Sequence, residues 1–266
     1  MKQVLTIAGS DSGGGAGIQA DLKAFHANGV FGMSVITSVT AQNTCEVRAA
    51  FDLPEEIIRA QISAVFDDFD VAAVKTGMLS SQVIVDVVVD ELKIRKPPSL
   101  VVDPVMVSTS GFKLLNEDAI QSVKGNLLSL STLVTPNRHE AELLAGMEIR
   151  TREDAGVAAK QIAELGASAV LVKGGHLDDE SAAVDVLWDG EKEAVFESLR
   201  FDTKNTHGTG CTYSSAIAAH LAKGCSLEDA VGHAKHYITE AIRYGLDIGK
   251  GHGPTNHFYF LDATPK

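Results

Sequence analysis

The sequence predicts an α/β fold in which a central, mostly parallel sheet is covered by helices on both faces. Short apolar segments alternate with longer segments whose apolar residues follow helical spacing, over most of the 266 residues. Strands that alternate with helices form parallel sheets with both faces buried. A chain of this length can bury one large core, and neither a Pro- or Ser-rich linker nor an internal repeat interrupts the pattern. We therefore expect residues 1–266 to form a single domain.

Strands are predicted where short apolar or β-branched runs are bounded by Gly, Pro, Asn or Asp. In chain order these runs are residues 3–8, 30–41, 71–75, 100–102, 132–135, 169–173, 184–188 and 194–196. The last two flank Asp189-Gly190, a dipeptide typical of a tight hairpin turn. The final pair should therefore be antiparallel, and the others should form the parallel part of the sheet.

Helices are predicted where apolar residues recur every three or four positions. In chain order these segments are residues 18–27, 54–66, 84–92, 118–130, 140–145, 151–165, 209–222 and 227–244. Pro54 suits a first helical position, and the acids after it suit the helix dipole. Thr151-Arg-Glu-Asp154 has the spacing of a capping box, and Leu165 should share the buried face of that helix with Ala158 and Ile162.

Composition and charge argue against several classes of protein. The formal charge of −12 is unlike a general nucleic-acid binder, which presents a basic face. Three cysteines without a CxxC pair favour a reducing, cytoplasmic setting. The N-terminal apolar run is too short for a signal peptide, and the uncharged segment at residues 24–45 is too polar for a transmembrane helix. We expect neither a nucleic-acid partner nor a membrane span.

Polar or glycine residues stand at the ends of the predicted strands. They are Gly9, Gln42, Lys75-Thr-Gly-Met78, Asp103, Asn137 and Lys173-Gly-Gly175. Ligands of open parallel sheets bind beyond the carboxyl ends of the strands. The sequence therefore predicts a polar site at that edge, of the kind that phosphoryl transfer needs.

A glycine-rich stretch, Gly208-Thr-Gly-Cys211, opens the alanine-rich helix at residues 209–222. Glycines let a ligand approach the backbone, and the free N–H groups and dipole of a helix N-terminus attract anions. The same dipole would favour the thiolate form of Cys211. The alternative is a plain turn before a core helix, with Cys211 as a small buried apolar residue.

Two further motifs each have two interpretations. Asn137-Arg-His-Glu140 is a capping box, and Glu140 beside Asp103 could also organise Mg²⁺ through water; the two are compatible. His233 and His236 lie at i, i+3 on a predicted helix, but with no third ligand apparent they are interpreted as surface or packing residues.

A loose dinucleotide-binding pattern, Gly15-Ala-Gly17, lacks the acidic residue expected after the second strand, and its loop is too long for the tight turn. A Walker A motif is absent. Neither common nucleotide signature therefore accounts for the predicted site.

Together these stretches resemble the hydroxymethylpyrimidine/phosphomethylpyrimidine kinases of thiamine biosynthesis. The matching motifs are Ala8-Gly-Ser-Asp-Ser-Gly-Gly-Gly-Ala-Gly-Ile-Gln-Ala-Asp21, Ala41-Gln-Asn-Thr44, Lys75-Thr-Gly-Met78, Asp103-Pro-Val-Met106, Thr135-Pro-Asn137, Glu140-Ala141, Lys173-Gly-Gly-His176 and Asn205-Thr-His-Gly-Thr-Gly-Cys211. They span nearly the whole chain in the family's order. The resemblance implies a ribokinase-like three-layer fold, a homodimer, and the use of ATP with Mg²⁺. It also implies two successive phosphorylations, which convert 4-amino-5-hydroxymethyl-2-methylpyrimidine to its monophosphate and then to the diphosphate.

The resemblance assigns roles to the phosphate end of the site. The catalytic residues would be Cys211, Gly208, Gly210 and Lys173; the nucleotide would contact Lys173, Asn137, Thr206 and Gly208; and Mg²⁺ would bind Asp103 and Glu140, directly or through water. Many sugar kinases of the wider fold have Asp where Cys211 stands. The Cys211 thiol would accept the hydroxyl proton or act mainly by position.

The substrate-binding residues that the resemblance implies are Gln42, Gly9, Asp21 and Met78. The Gln42 amide offers a donor and an acceptor complementary to the amino and ring-nitrogen edge of an aminopyrimidine. Gln42 could instead tie down its own loop, and Asp21 could be an exposed helix residue.

Two other functions stay open at this point. One is a pyridoxal or pyridoxine kinase, because some close relatives phosphorylate those rings. The other is a catalytically silent ligand sensor, whose mark would be loss of the phosphate loop or of the strand-end acids; neither is lost.

Overall fold

A computed structural model describes residues 1–106, 117–174 and 182–262, and within these ranges nine strands form one sheet. The strands are β1 (Gln3–Asp11), β2 (Phe31–Gln42), β3 (Val47–Asp52), β4 (Val71–Thr76), β5 (Leu100–Val102), β6 (Leu133–Val134), β7 (Val170–Gly174), β8 (Ala182–Trp188) and β9 (Glu193–Leu199). Their order across the sheet is β3-β2-β1-β4-β5-β6-β7-β8-β9. The six central strands are parallel to one another; in order they are β2, β1, β4, β5, β6 and β7. At one edge β3 pairs antiparallel with β2, and at the other edge β8 pairs antiparallel with β7 and β9 with β8. The predicted mostly parallel sheet is confirmed.

Helices cover both faces of this sheet. They are α1 (Gly17–Ala27), α2 (Glu55–Asp68), α3 (Gln82–Arg95), α4 (Glu117–Ser122), α5 (Arg138–Ala145), α6 (Arg152–Ala163), α7 (Thr209–Ala222), α8 (Leu227–Arg243) and α9 (Tyr259–Asp262). Helices α2 to α6 pack into one apolar cluster, and α1, α7 and α8 pack into the other. Each face of the sheet is therefore buried, which is why the parallel strands contain almost unbroken apolar runs.

Helix α7 is the most buried helix of the second face. Its segment from Thr212 to Ala219 is buried throughout, because small residues let it lie close to both the sheet and α8. Helix α8 presents Val231, Ala234, Ile238 and Ala241 to this core at helical spacing. This packing holds the N-terminus of α7 against the edge of the sheet.

The edge strand β3 was not predicted. Its residues Val47-Arg-Ala-Ala-Phe-Asp52 are almost all exposed and show no alternation of apolar and polar side chains. The strand forms because its backbone pairs antiparallel with β2. Local periodicity reports burial of side chains, and it carries no signal for an edge strand that buries none.

Several predicted boundaries were wrong. Strand β1 continues to Asp11, so Gly9 lies inside the strand, next to an irregularity in its pairing with β2, and not in the loop. The helix predicted at residues 118–130 leaves regular α-helix after Ser122 and continues as a π turn and a 3₁₀ turn. Helix α6 ends at Ala163, which leaves Leu165 beyond it and 37% exposed. Gly175, part of the predicted end of β7, and His176, part of the family motif, lie outside the described residues.

None of the helices in the described ranges combines the length and apolar character that crossing a membrane requires.

Candidate active site

An open cavity of about 210 Å³ lies at the carboxyl edge of the parallel strands. The predicted site residues that line it are Gly9, Gln42, Met78, Asp103, Asn137, Glu140, Lys173, Thr206, Gly208, Gly210 and Cys211. They come from strand ends and from the start of α7, where a parallel sheet brings the carboxyl ends of its strands together. Of the predicted set, Asp21 alone is absent from this lining.

The first turn of α7 faces the cavity. Gly208 caps the helix in the left-handed conformation, with φ of 80°. A Cβ on Gly208 would clash with the carbonyl oxygen of Gly15, so only glycine fits this close approach between the two loops. The N–H groups of Gly210 and Cys211 belong to the first turn, which has no intrahelical carbonyl to accept them. They are available to an anion in the cavity.

A lysine–aspartate pair stands opposite this helix start. Lys173 Nζ lies 2.9 Å from Asp103 Oδ1, and both side chains are largely buried. The hydroxyls of Ser214 and Thr135 also donate to Asp103, at 3.3 Å and 3.4 Å. Burial opposes the charge of Asp103, but Lys173 and Lys75 outweigh it, so its pKa stays below the usual value. The pair is ionised and presents an ammonium group to the cavity.

Glu140 is both a helix cap and a cavity wall. Its carboxylate accepts from the backbone N–H of Asn137 at 2.8 Å and of Met106 at 3.3 Å, and the Asn137 side chain accepts from the Glu140 N–H at 2.9 Å. The predicted capping box is confirmed. Burial raises the pKa of Glu140 to about 7; Lys173 lowers it in part, and the nearby Asp103 adds to the rise.

We expect Glu140→Gln to change how stability depends on pH in the protein free of nucleotide and metal. A carboxyl whose pKa is raised on folding stabilises the fold fully below its unfolded pKa of about 4.5, and this stability is lost as pH rises through about 7. Between pH 5 and 8 the wild type should lose up to about 3 kcal/mol of unfolding free energy relative to Glu140→Gln, which does not titrate. Urea denaturation at several pH values measures this difference. Parallel curves for the two proteins would contradict the raised pKa.

Cys211 lies in the cavity wall as a half-buried free thiol. Burial raises its pKa to about 11, although Lys75 lowers it in part. The thiolate that the helix dipole was expected to favour is therefore not the resting form, because burial raises the pKa of Cys211 more than Lys75 lowers it. At neutral pH the residue is a thiol.

Asp21 departs from the prediction of a direct substrate contact and from the alternative of an exposed helix residue. It is fully buried behind the cavity wall, where its carboxylate accepts from Lys75 Nζ at 2.9 Å and from the hydroxyls of Thr6 at 2.6 Å and Ser215 at 2.7 Å. Burial opposes the charge on Lys75, but Asp21 raises the pKa of Lys75 above its ordinary value. Asp21 thus holds a lysine in the cavity floor, and Lys75 lines the cavity itself.

A second connection, between Asp11 and His207, was not predicted. Asp11 accepts from the N–H groups of Gly13, Gly15 and Ala16 and from His207 Nε2 at 2.9 Å. The pair ties the glycine-rich loop after β1 to the residue before Gly208. The position of an Asp just before a glycine run was a signal for this turn. Its partner His207 lies 196 residues further along the chain, so no local sequence pattern predicts the contact.

The substrate end of the cavity contains Gln42 and Met78. The backbone of Gln42 exchanges hydrogen bonds of 2.8 Å with the Ser12 hydroxyl, and its side-chain oxygen accepts from Thr40 Oγ1 at 3.2 Å. Its backbone therefore anchors the loop, and the residue is part of the cavity lining. A Cβ on Gly9 would clash with the Met78 methyl group, so glycine leaves room for the thioether to lie across β1.

Comparisons with known proteins identify the family and the fold. Residues 11–256 match the phosphomethylpyrimidine kinase family. The hydroxymethylpyrimidine/phosphomethylpyrimidine kinase of Haemophilus influenzae is 48% identical over 264 residues, covering 98% of each chain. The crystal structure of a phosphomethylpyrimidine kinase from Clostridium difficile is 48% identical, with a TM-score of 0.82 over 91% of this chain and 100% of that one. An ADP complex of Bacillus subtilis pyridoxal kinase is 41% identical, with a TM-score of 0.91 over 98% of this chain and 99% of that one. The chain therefore has the ribokinase-like fold and belongs to the phosphomethylpyrimidine kinase family.

Proposed function

We propose that the chain transfers a phosphoryl group from ATP to the 5-hydroxymethyl group of 4-amino-5-hydroxymethyl-2-methylpyrimidine, and then a second one to the monophosphate. The observation that carries the proposal is the cavity in which the ionised Lys173–Asp103 pair faces the open N-terminus of α7. Phosphoryl transfer requires positioning and stabilisation of charge more than covalent chemistry, and these groups supply both. The similarity to the Haemophilus influenzae kinase supports this choice of substrate.

We infer that ATP enters through a second cavity, which shares Lys173, Thr206 and Thr209 with the first. Apolar side chains from α8 and from residues after β9 line its far side; they include Phe201, Ile238 and Ile242. A flat purine ring suits such a wall, and the triphosphate would then pass Thr206 and Asn137 toward Gly208 and Gly210. The bound ADP of the Bacillus subtilis relative supports a nucleotide in this fold.

The two buried acids in the lining suit Mg²⁺. Mg²⁺ prefers carboxylate oxygens, keeps several waters, and usually binds through one or two carboxylates together with phosphates. Asp103 would hold the ion near the phosphates, and Glu140 would act through water, because both its oxygens already accept backbone N–H groups. When bound, the ion neutralises charge that develops on the transferred group. Lys173 and the N–H groups of the α7 turn orient that group.

The neutral Cys211 thiol is proposed to position the substrate hydroxyl. A loose transition state demands little from a base, so the thiol need not remove the hydroxyl proton before the transfer. The site residues Gln42, Gly9 and Met78 would bind the ring, and Asp21 would act only through Lys75.

The wider organisation of the protein is also part of the proposal. One sheet extends through the described part of the chain, which supports a single kinase domain over residues 1–266. The family resemblance supports a homodimer and a cytoplasmic location.

The deciding assay supplies purified protein with Mg-ATP and either the aminopyrimidine or pyridoxal, and follows products by mass spectrometry. We expect the monophosphate and diphosphate of the aminopyrimidine. The similarity to Bacillus subtilis pyridoxal kinase makes pyridoxal kinase the second candidate, which product from pyridoxal alone would favour. Absence of product from both rings would favour a silent sensor.

For Cys211→Ala we expect turnover to fall by less than the roughly 10²-fold that loss of a proton-transfer group costs. Because the pKa of the thiol is about 11, the kcat profiles of wild type and variant should run parallel between pH 7 and 9. Cys45→Ala, at an exposed cysteine, serves as the control. A wild-type kcat that rises toward pH 11 while the variant stays flat would instead identify the thiolate as the base.

For Gln42→Met we expect a change of ring preference. The methionine leaves the amino and ring-nitrogen edge of the aminopyrimidine unpaired, at a cost of about 1–3 kcal/mol, so kcat/KM for this ring should fall about ten- to a hundredfold. Pyridoxal lacks that edge, so kcat/KM for pyridoxal should be unchanged. The measurement is the ratio of kcat/KM for the two rings in each protein. An equal fall for both rings would show that Gln42 only shapes its loop.

A further inference from the structure

A histidine–cysteine–histidine cluster lies outside the cavities described above. His220 is near the end of α7, Cys225 lies in the connection to α8, and His233 is on α8. One possible ligand atom from each residue lies within 4.8 Å of the other two, and no other such group occurs among the described residues. The His220 and His233 rings have centroids 4.9 Å apart. His233 belongs to the i, i+3 histidine pair of the sequence, whereas His220 and Cys225 come close to it only in the folded chain.

The backbone fixes the first two members of this cluster. The N–H groups of Lys223 and Cys225 both donate to the carbonyl of His220, at 3.1 Å and 3.2 Å. Gly224 makes the turn in the left-handed region, with φ of 89°. Cys225 packs against the apolar cluster of α7 and α8. The thiol and the His220 ring therefore lie at one rigid turn.

Asn28 orients the His220 ring. The Asn28 amide nitrogen donates to the carbonyl of Ala24 at 2.8 Å, which leaves its oxygen to face His220 Nε2 at 3.1 Å. Nε2 must then donate the hydrogen, and the lone pair lies on Nδ1. Metal-binding histidines commonly donate their second ring N–H to an oxygen in this way, which fixes the tautomer.

We propose that His220, Cys225 and His233 bind one Zn²⁺ ion, with water in the fourth position. Imidazole and thiolate are the ligands that Zn²⁺ takes, whereas Mg²⁺ takes oxygen. Bond lengths of about 2.1 Å to nitrogen and 2.3 Å to sulfur bring tetrahedral ligands to about 3.5 Å apart, so the side chains must converge slightly. The exposed ring of His233 can make this movement.

The proposed site is remote from the chemistry. His220 lies 11 residues after Thr209, which is about 17 Å along α7 from the phosphate-binding turn. A metal at this end would join α7 to α8 and secure the helix whose first turn faces the cavity. Its expected effect is therefore on stability and not on the phosphoryl-transfer step.

The test uses Co²⁺ as a probe, with the full-length protein in a non-thiol reductant and excess Mg²⁺. We expect one equivalent to give a thiolate-to-cobalt charge-transfer band that Zn²⁺ abolishes. His233→Ala and Cys225→Ser should each weaken Co²⁺ binding by at least about tenfold, since each removes a ligand. Two matched controls should leave it unchanged: His236→Ala, one turn further along α8, and Cys45→Ser, at an exposed cysteine elsewhere.

Thermal unfolding gives a second measurement. Zn²⁺ should raise the Tm of the wild type and of His236→Ala but not of His233→Ala, because a ligand that binds only the folded state stabilises it. His233 is exposed, so its replacement leaves the core intact and keeps the test usable if Cys225→Ser folds poorly. The proposal is overturned if the wild type gives no thiolate band, if the band is lost in Cys45→Ser, or if His233→Ala binds as tightly as the wild type.

Discussion

Gly208→Ala is expected to lower kcat by about 10²-fold or more and to destabilise the fold. Gly208 has φ of 80°, which costs a non-glycine residue about 1–2 kcal/mol. The added methyl group would also clash with the Gly15 carbonyl, which belongs to the loop held by Asp11 and His207. Relief of that clash must displace the first turn of α7, and a shift of about 1 Å in groups that position a reacting centre costs about 10²-fold.

Gly146→Ala separates the two causes. Gly146 ends α5 with φ of 72°, and nothing lies within 4 Å of a Cβ placed there. In this control a non-glycine residue takes a positive φ without a clash. Its Tm should therefore fall less than that of Gly208→Ala, and kcat should be unchanged. Steady-state kinetics and thermal unfolding of both variants measure the contrast. Equal behaviour of the two variants would mean that the contact with Gly15 does not position the α7 turn.

Lys173→Ala is expected to lower kcat by about 10³-fold. The ammonium group lies between Asp103 and the α7 turn, where negative charge would develop during transfer, and a cation placed at such a point contributes about 10³-fold or more. Removal of Lys173 also leaves Asp103 with the Ser214 and Thr135 hydroxyls and the charge of Lys75, so the fold should survive with a lowered Tm.

A charge-conserving variant distinguishes catalysis from folding. Lys173→Arg keeps the positive charge beside Asp103 and should recover much of the Tm but only part of kcat, because the guanidinium group has a different shape. Lys192→Ala, which breaks an exposed pair with Glu228, should change neither. If Lys173→Arg has the same kcat and the same Tm as the wild type, Lys173 contributes to the structure and does not position the transferred group.

The family resemblance and the strand-end residues predict the place of the candidate site from the sequence alone. Asp103, Asn137 and Lys173 follow buried strands, and parallel strands bring their carboxyl ends to one edge of a sheet. The capping box of Glu140 is likewise a local pattern, since its members lie three residues apart. The sequence therefore determined the class of fold, the edge at which the cavity lies, and half of the residues that line it.

Other features were decided only by the tertiary structure, because they depend on where distant segments meet. Lys75 reaches Asp21 across 54 residues, which removes that acid from the cavity wall, and His207 reaches Asp11 across 196. The protonation state of Cys211 depends on how much water burial removes, and no helix-start motif reports that quantity. His233 meets His220 and Cys225 only because α7 and α8 pack as neighbours. Periodicity and caps encode local structure, whereas pairing and desolvation are properties of the assembled chain.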